Sequence, residues 1–134
     1  KHAIPAMLDT GDGTGVVVNN ASIAALIAEP GLDIYTATKG ALVSLTRSIA
    51  VEYAPEIRAN TICPGIVETP MLEQALSEET DEDLPATTAE MIEETPLGIA
   101  EPEEIARAIA FLASPDAAFV TGATIPVDGG YTAQ

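Results

Sequence analysis

Positive charge is nearly missing from this chain of 134 residues, in which five lysines and arginines stand against 21 aspartates and glutamates, a formal balance of −16. Such a surface repels nucleic acid and anionic membranes, so neither is expected as a partner. Cysteine occurs once, as Cys63, which excludes an internal disulfide and makes a reducing, cytoplasmic compartment the expectation. No apolar run approaches the roughly 20 residues needed to span a bilayer. The opening K-H-A-I-P-A-M-L is too short and too broken by proline to read as a signal peptide. Lysine occurs only at Lys1 and Lys39. Two readings account for the charge: adaptation to high salt, where screening relieves self-repulsion, which we favour, and an ordinary acidic protein.

Hydrophobic residues make up 47% of the chain, enough to exclude disorder, and the length suits one small domain. Val16–Asn20 reads as a buried strand, β-branched and without alternation, as parallel strands are. The glycine-rich 11–15 stretch precedes this strand. A dinucleotide fingerprint would follow a strand and open a helix, so the stretch reads as a plain turn. Ser22 falls at the strand's carboxyl end, where open α/β sheets place ligands; alone it could equally be a turn residue or helix cap.

Residues 34–53 predict a long helix with Leu42, Leu45 and Ile49 facing the sheet. Tyr35 and Lys39 are four apart on it and share one face. An ammonium beside a phenol favours the phenolate. Such a phenol can pass a proton to or from a substrate oxygen, and a nearby serine hydroxyl can hold that oxygen. Residues 58–63 predict a second strand, broken by Pro64-Gly65. Pro102 and its flanking acids open another helix, with Ile105, Ile109 and Leu112 on its apolar face. Residues 123–127 predict a third strand. Cys63 reads as a buried strand residue, Asn60 as structural, and the single histidine, His2, as a surface residue. No metal site is expected, since the acidic residues lack the spacing and glycine of a calcium loop.

Ser22 followed thirteen positions later by Tyr35-x-x-x-Lys39, after V-V-V-N-N-A, resembles the catalytic signature of the short-chain dehydrogenase/reductase family. The I-R-A-N-T-I-C-P-G-I-V-E-T-P-M and F-V-T-G-A-T-I-P-V-D-G-G-Y stretches match it in the same order. The resemblance implies an α/β fold, the carboxyl-terminal half of a Rossmann-like doubly wound parallel sheet, with about three parallel strands and flanking helices. It implies NAD or NADP as cofactor and a small-molecule alcohol/carbonyl pair as substrate. Tyr35 would be the general acid/base and would also contact the cofactor. Lys39 would support it and bind the nicotinamide ribose, and Ser22 would hold the substrate oxygen. Pro64 and Gly65 would line the nicotinamide ring, with Val67 and Thr69 against its carboxamide. A homo-oligomer, dimer or tetramer, is implied through the long helix and through the last helix and strand.

The whole chain, 1–134, is expected to form a single partial domain, with residues 68–95 a variable region that is either a substrate lid or a solvated acidic loop. The family's phosphate-binding glycine loop and its active-site asparagine have no counterpart here. The chain is therefore expected to be a fragment, a truncated relative, or a unit completed by another chain. The alternative to an enzyme is a non-catalytic remnant acting as a self-associating or partner-binding module.

Overall fold

The computed structural model describes residues 2–28, 30–78 and 88–134. Part of the expected lid, residues 79–87, lies outside the described residues. Helix α1 (Ala3–Leu8) leads to β1 (Gly15–Asn20), and a 3-10 turn at Ile23–Ala25 leads to α2 (Asp33–Glu52). Strand β2 (Ile57–Pro64), helices α3 (Pro70–Glu78), α4 (Thr88–Glu94) and α5 (Pro102–Ala113), and strand β3 (Thr124–Val127) complete the order.

The three strands form one parallel sheet in the order β1-β2-β3. Side chains alternate across a strand, and β2 shows the consequence. Ile62 packs with Ile105 and Leu112 of α5 on one face. Cys63 packs with Val43 of α2 on the other. Helices therefore cover both faces, which is why β2 is buried along almost its whole length. This is the doubly wound arrangement expected, and Asn60 is structural as read: its side chain joins Val120 O at 2.8 Å and Ala123 N at 3.0 Å.

One expectation fails. Leu45 does not face the sheet but is 51% exposed; the buried stripe of α2 is Val43, Thr46 and Ala50. A polar pin sets this rotation. Thr46 Oγ1 accepts from Asn19 Nδ2 of β1 at 2.8 Å and from Thr61 Oγ1 of β2 at 2.6 Å, and donates to Leu42 O at 2.8 Å. One donor and two acceptor sites are all a hydroxyl has, so the group is fully used. Turning Leu45 inward would strand three polar groups.

At the amino-terminal rim of the sheet, Arg58 spans to the end of α5. Its guanidinium donates to Leu112 O at 3.0 Å, Val120 O at 3.2 Å and Ser114 O at 3.1 Å. Helix carbonyls left open at a carboxyl end are thereby satisfied by a cation. At the start of α5, Pro102 takes the first helical position and Glu104 Oε2 accepts from the Glu101 N–H at 2.9 Å.

Candidate active site

All three strands end at one rim, and the expected residues gather there. Tyr35 and Lys39, both half-buried, lie on successive turns at the start of α2. Lys39 Nζ sits 5.5 Å from the Tyr35 ring centroid, within the reach of a cation–π contact. It also donates to the carbonyl oxygen of Asn20, the last residue of β1, at 3.3 Å. The ammonium thus bridges helix and strand and keeps further donors for another oxygen.

Ser22 stands two residues past Asn20. Its Oγ accepts from the Ala24 N–H at 3.2 Å and caps the 3-10 turn. Capping uses a lone pair and leaves the O–H to donate. Ser22 and Tyr35 do not hydrogen-bond to each other among the described residues. The structure brings Lys39 to Tyr35 directly; Ser22 shares the strand end with them without a direct bond.

Cys63 lies beneath this group, fully buried. Burial pushes its thiol pKa up; the backbone of Ser22 and the charge of Lys39 pull it down, and the charge of Asp128 adds to the rise.

The loop after β2 is held from two sides. Pro64 is buried, and the Gly65 N–H donates to Val127 O at 3.1 Å. Val67 forms an isolated parallel bridge with Ala100, framed by Ala100 N to Ile66 O at 3.0 Å and Glu68 N to Ala100 O at 2.9 Å. Thr69 Oγ1 donates to Val67 O at 3.2 Å, and its own carbonyl receives the first amides of α3, from Leu72 at 2.9 Å and Glu73 at 3.2 Å.

Two further groups, Thr46 and Asp128, are singled out by no motif. Thr46 carries no motif; its meaning arises from Asn19 and Thr61, distant in sequence. Asp128 is visible in the D-G-G stretch, and the four-residue step to Thr132 is the signal that it bonds its own turn. Burial pushes its carboxyl pKa up, but hydrogen bonds from Thr132 and Gly130 outweigh this and hold it below the ordinary 3.8. No group of metal-ligating side chains is present among the described residues, and no helix there is long and apolar enough to cross a membrane.

Over residues 1–132 the chain matches the family described as enoyl-(acyl carrier protein) reductase. It is 44% identical over 122 residues to 2-(R)-hydroxypropyl-CoM dehydrogenase of Xanthobacter autotrophicus, a match covering 90% of this chain and 47% of that protein. It is also 44% identical over 136 residues to the same organism's inactive 2-(S)-hydroxypropyl-CoM dehydrogenase 2, covering 99% and 57%. The ligand-free structure of Thermoplasma acidophilum aldohexose dehydrogenase is similar with a TM-score of 0.85 at 38% identity, covering 98% of this chain and 52% of that one. The chain spans about half the length of the curated relatives it matches.

Proposed function

The chain belongs to the short-chain dehydrogenase/reductase family, and from that premise we propose that it supplies the catalytic half of an NAD(P)-dependent oxidoreductase acting on a small alcohol/carbonyl pair. The observation that carries this reading is Lys39, held between the Tyr35 ring and the Asn20 carbonyl at the sheet rim. The residues fit a nicotinamide nucleotide: the ammonium keeps donors suited to ribose hydroxyls, and the Pro64–Thr69 loop offers backbone and a hydroxyl. When bound, the nicotinamide would give or take the hydride.

The chain's own groups handle the proton and the geometry. Ser22 donates its O–H to the substrate oxygen and fixes its position. Tyr35 gives a proton to that oxygen in reduction and removes it in oxidation. Lys39 stabilises negative charge on the phenol oxygen as it develops. Helices α3 and α4 fall within the 68–95 region; as parts of a lid they would exclude water on closure. Outward-facing Ile34, Leu45 and Val51 of α2, respectively 75%, 51% and 83% exposed, support a homo-oligomer packed through that helix. The charge balance of −16 supports a cytoplasm of high ionic strength.

Tyr35→Phe in the full-length polypeptide tests the reading. Turnover should fall by about 10²- to 10⁴-fold, the usual worth of a positioned acid/base, while NAD(H) or NADP(H) affinity stays within about threefold. Near-normal turnover would overturn it.

One observation favours a second reading, a non-catalytic remnant that self-associates or binds a partner. One relative at equal identity to the dehydrogenase above is an inactive protein. Cofactor titration of the full-length polypeptide separates the two: binding supports the enzyme, whereas no binding together with stable self-association supports the remnant.

A further inference from the structure

The turn after β3 is built around one carboxylate. Asp128 Oδ1 accepts from the Gly130 N–H at 3.1 Å, and Oδ2 accepts from the Thr132 N–H at 2.9 Å and from the Thr132 hydroxyl. Three donors on one side chain curl residues 128–132 into a fixed shape.

That shape is pressed between two segments. On one side lies the loop after β2. A Cβ added at Gly65 would stand 2.9 Å from Asp128 Cα, so the two backbones are in close contact. On the other side lies the segment between α4 and α5. The Leu97 N–H donates to Gly129 O at 3.1 Å, and a Cβ at Gly129 would meet Thr95 Cγ2 at 2.8 Å. This second segment runs on to Ala100, which pairs with Ile66, Val67 and Glu68. The Gly65–Thr69 loop is thus braced twice by one turn, directly at Gly65 and through residues 97–100 further along.

We propose that Asp128 is a positioning residue for cofactor binding: by holding the 128–132 turn it sets the Pro64–Thr69 loop against the nicotinamide end of the dinucleotide. The inference rests on the oxidoreductase reading above and adds to it a residue that touches neither cofactor nor substrate. A purely structural brace would lower the folded fraction. A positioning brace weakens cofactor binding in protein that remains folded and leaves the Tyr35 step alone.

The test uses the full-length polypeptide with Asp128→Asn and Thr132→Val. Asparagine offers one acceptor oxygen and turns an NH₂ toward donors; valine removes only the hydroxyl bond. Dissociation constants for NAD(H) and NADP(H) and steady-state kinetics are measured, with circular dichroism and thermal melts reporting the folded fraction. Asp128→Asn should raise the cofactor dissociation constant about tenfold, as loss of a charge-assisted hydrogen bond does, and Thr132→Val less. Turnover at saturating cofactor should stay within about threefold of the parent. The proposal is overturned if folded Asp128→Asn binds cofactor like the parent, or if turnover falls while affinity holds. Should Asp128→Asn not fold, Thr132→Val decides alone: parental affinity overturns the proposal and weakened affinity supports it. A parent that binds neither dinucleotide overturns the oxidoreductase reading and this inference together; a parent that binds while both variants match it overturns this inference only.

Discussion

Lys39 Nζ reaches the carbonyl oxygen of Asn20 at 3.3 Å while standing 5.5 Å from the centre of the Tyr35 ring. One cation ties the end of β1 to the first turns of α2. Its replacement should therefore disturb both charge and geometry. Lys39→Met is expected to lower kcat/KM of the full-length protein by about 10²-fold or more. Lys39→Arg should fall between, because a planar fork on a different stem does not reproduce a compact ammonium. Steady-state kinetics with varied cofactor read both; parental kinetics in the methionine variant would remove the cation from the mechanism.

Two glycines separate close approach from open space. An added Cβ at Gly65 meets Asp128 Cα at 2.9 Å, whereas one at Gly40 in α2 meets nothing within 4 Å. Gly65→Ala should cost about 1–3 kcal/mol, since backbone cannot yield as a side-chain tip can. Gly40→Ala should instead stabilise by about 0.5–1 kcal/mol, the helix propensity difference. Urea denaturation of each variant measures the sign, and a loss at Gly40 would show hidden crowding on that helix.

The Thr46 hydroxyl is predicted to be worth more than either of its neighbours' bonds alone. Thr46→Val keeps the shape but leaves Asn19 Nδ2 and Thr61 Oγ1 without their acceptor. Each stranded group costs about 1–3 kcal/mol. Thr61→Val removes one donor and leaves Thr46 bonded to Asn19 and Leu42, for a cost nearer 1 kcal/mol. Equal losses in the two variants would argue against the pin.

Asp128 gives a prediction for acid. Its carboxyl lies below the ordinary 3.8 because hydrogen bonds from Thr132 and Gly130 outweigh burial. A carboxyl whose folded pKa is depressed contributes stability above its unfolded pKa. That contribution fades as pH falls through the lower folded value. The difference in stability between the parent and Asp128→Asn should accordingly be level above about pH 5 and shrink below about pH 4. Denaturant titrations from pH 6 to pH 2.5 read it as a difference, so that the other carboxylates cancel; a gap that widens toward acid would contradict the assigned cause.

Much of this arrangement is legible in the residues because local chemistry writes it there. The β-branched run before Asn20, the Tyr35–Lys39 step, and the proline-led start of α5 each act over a few positions. The place of β1 and the starts of α2 and α5 follow from them. Leu45 shows where this ends. Its spacing with Leu42 and Ile49 is sound for a helix face, yet the rotation of α2 is decided by Thr46 meeting Asn19 and Thr61, 27 and 15 residues away. Asp128 is similar: D-G-G announces a turn, but its contact with Gly65 depends on how two strand ends lie side by side. The loop at Val67 reads as a strand exit, while its bridge to Ala100 becomes visible only in three dimensions.

Arg58, meeting three carbonyls across the opposite rim, has a consequence for how so acidic a chain holds together. Its guanidinium and the Lys39 ammonium both donate to backbone oxygens. Two of the five cations are thus committed to fixed backbone oxygens. The acidic outer surface is left to be neutralised by counterions from the medium. Lysine in place of Arg58 would keep the charge yet lose the fan of donors that spans those oxygens, so a salt supplement should not rescue it.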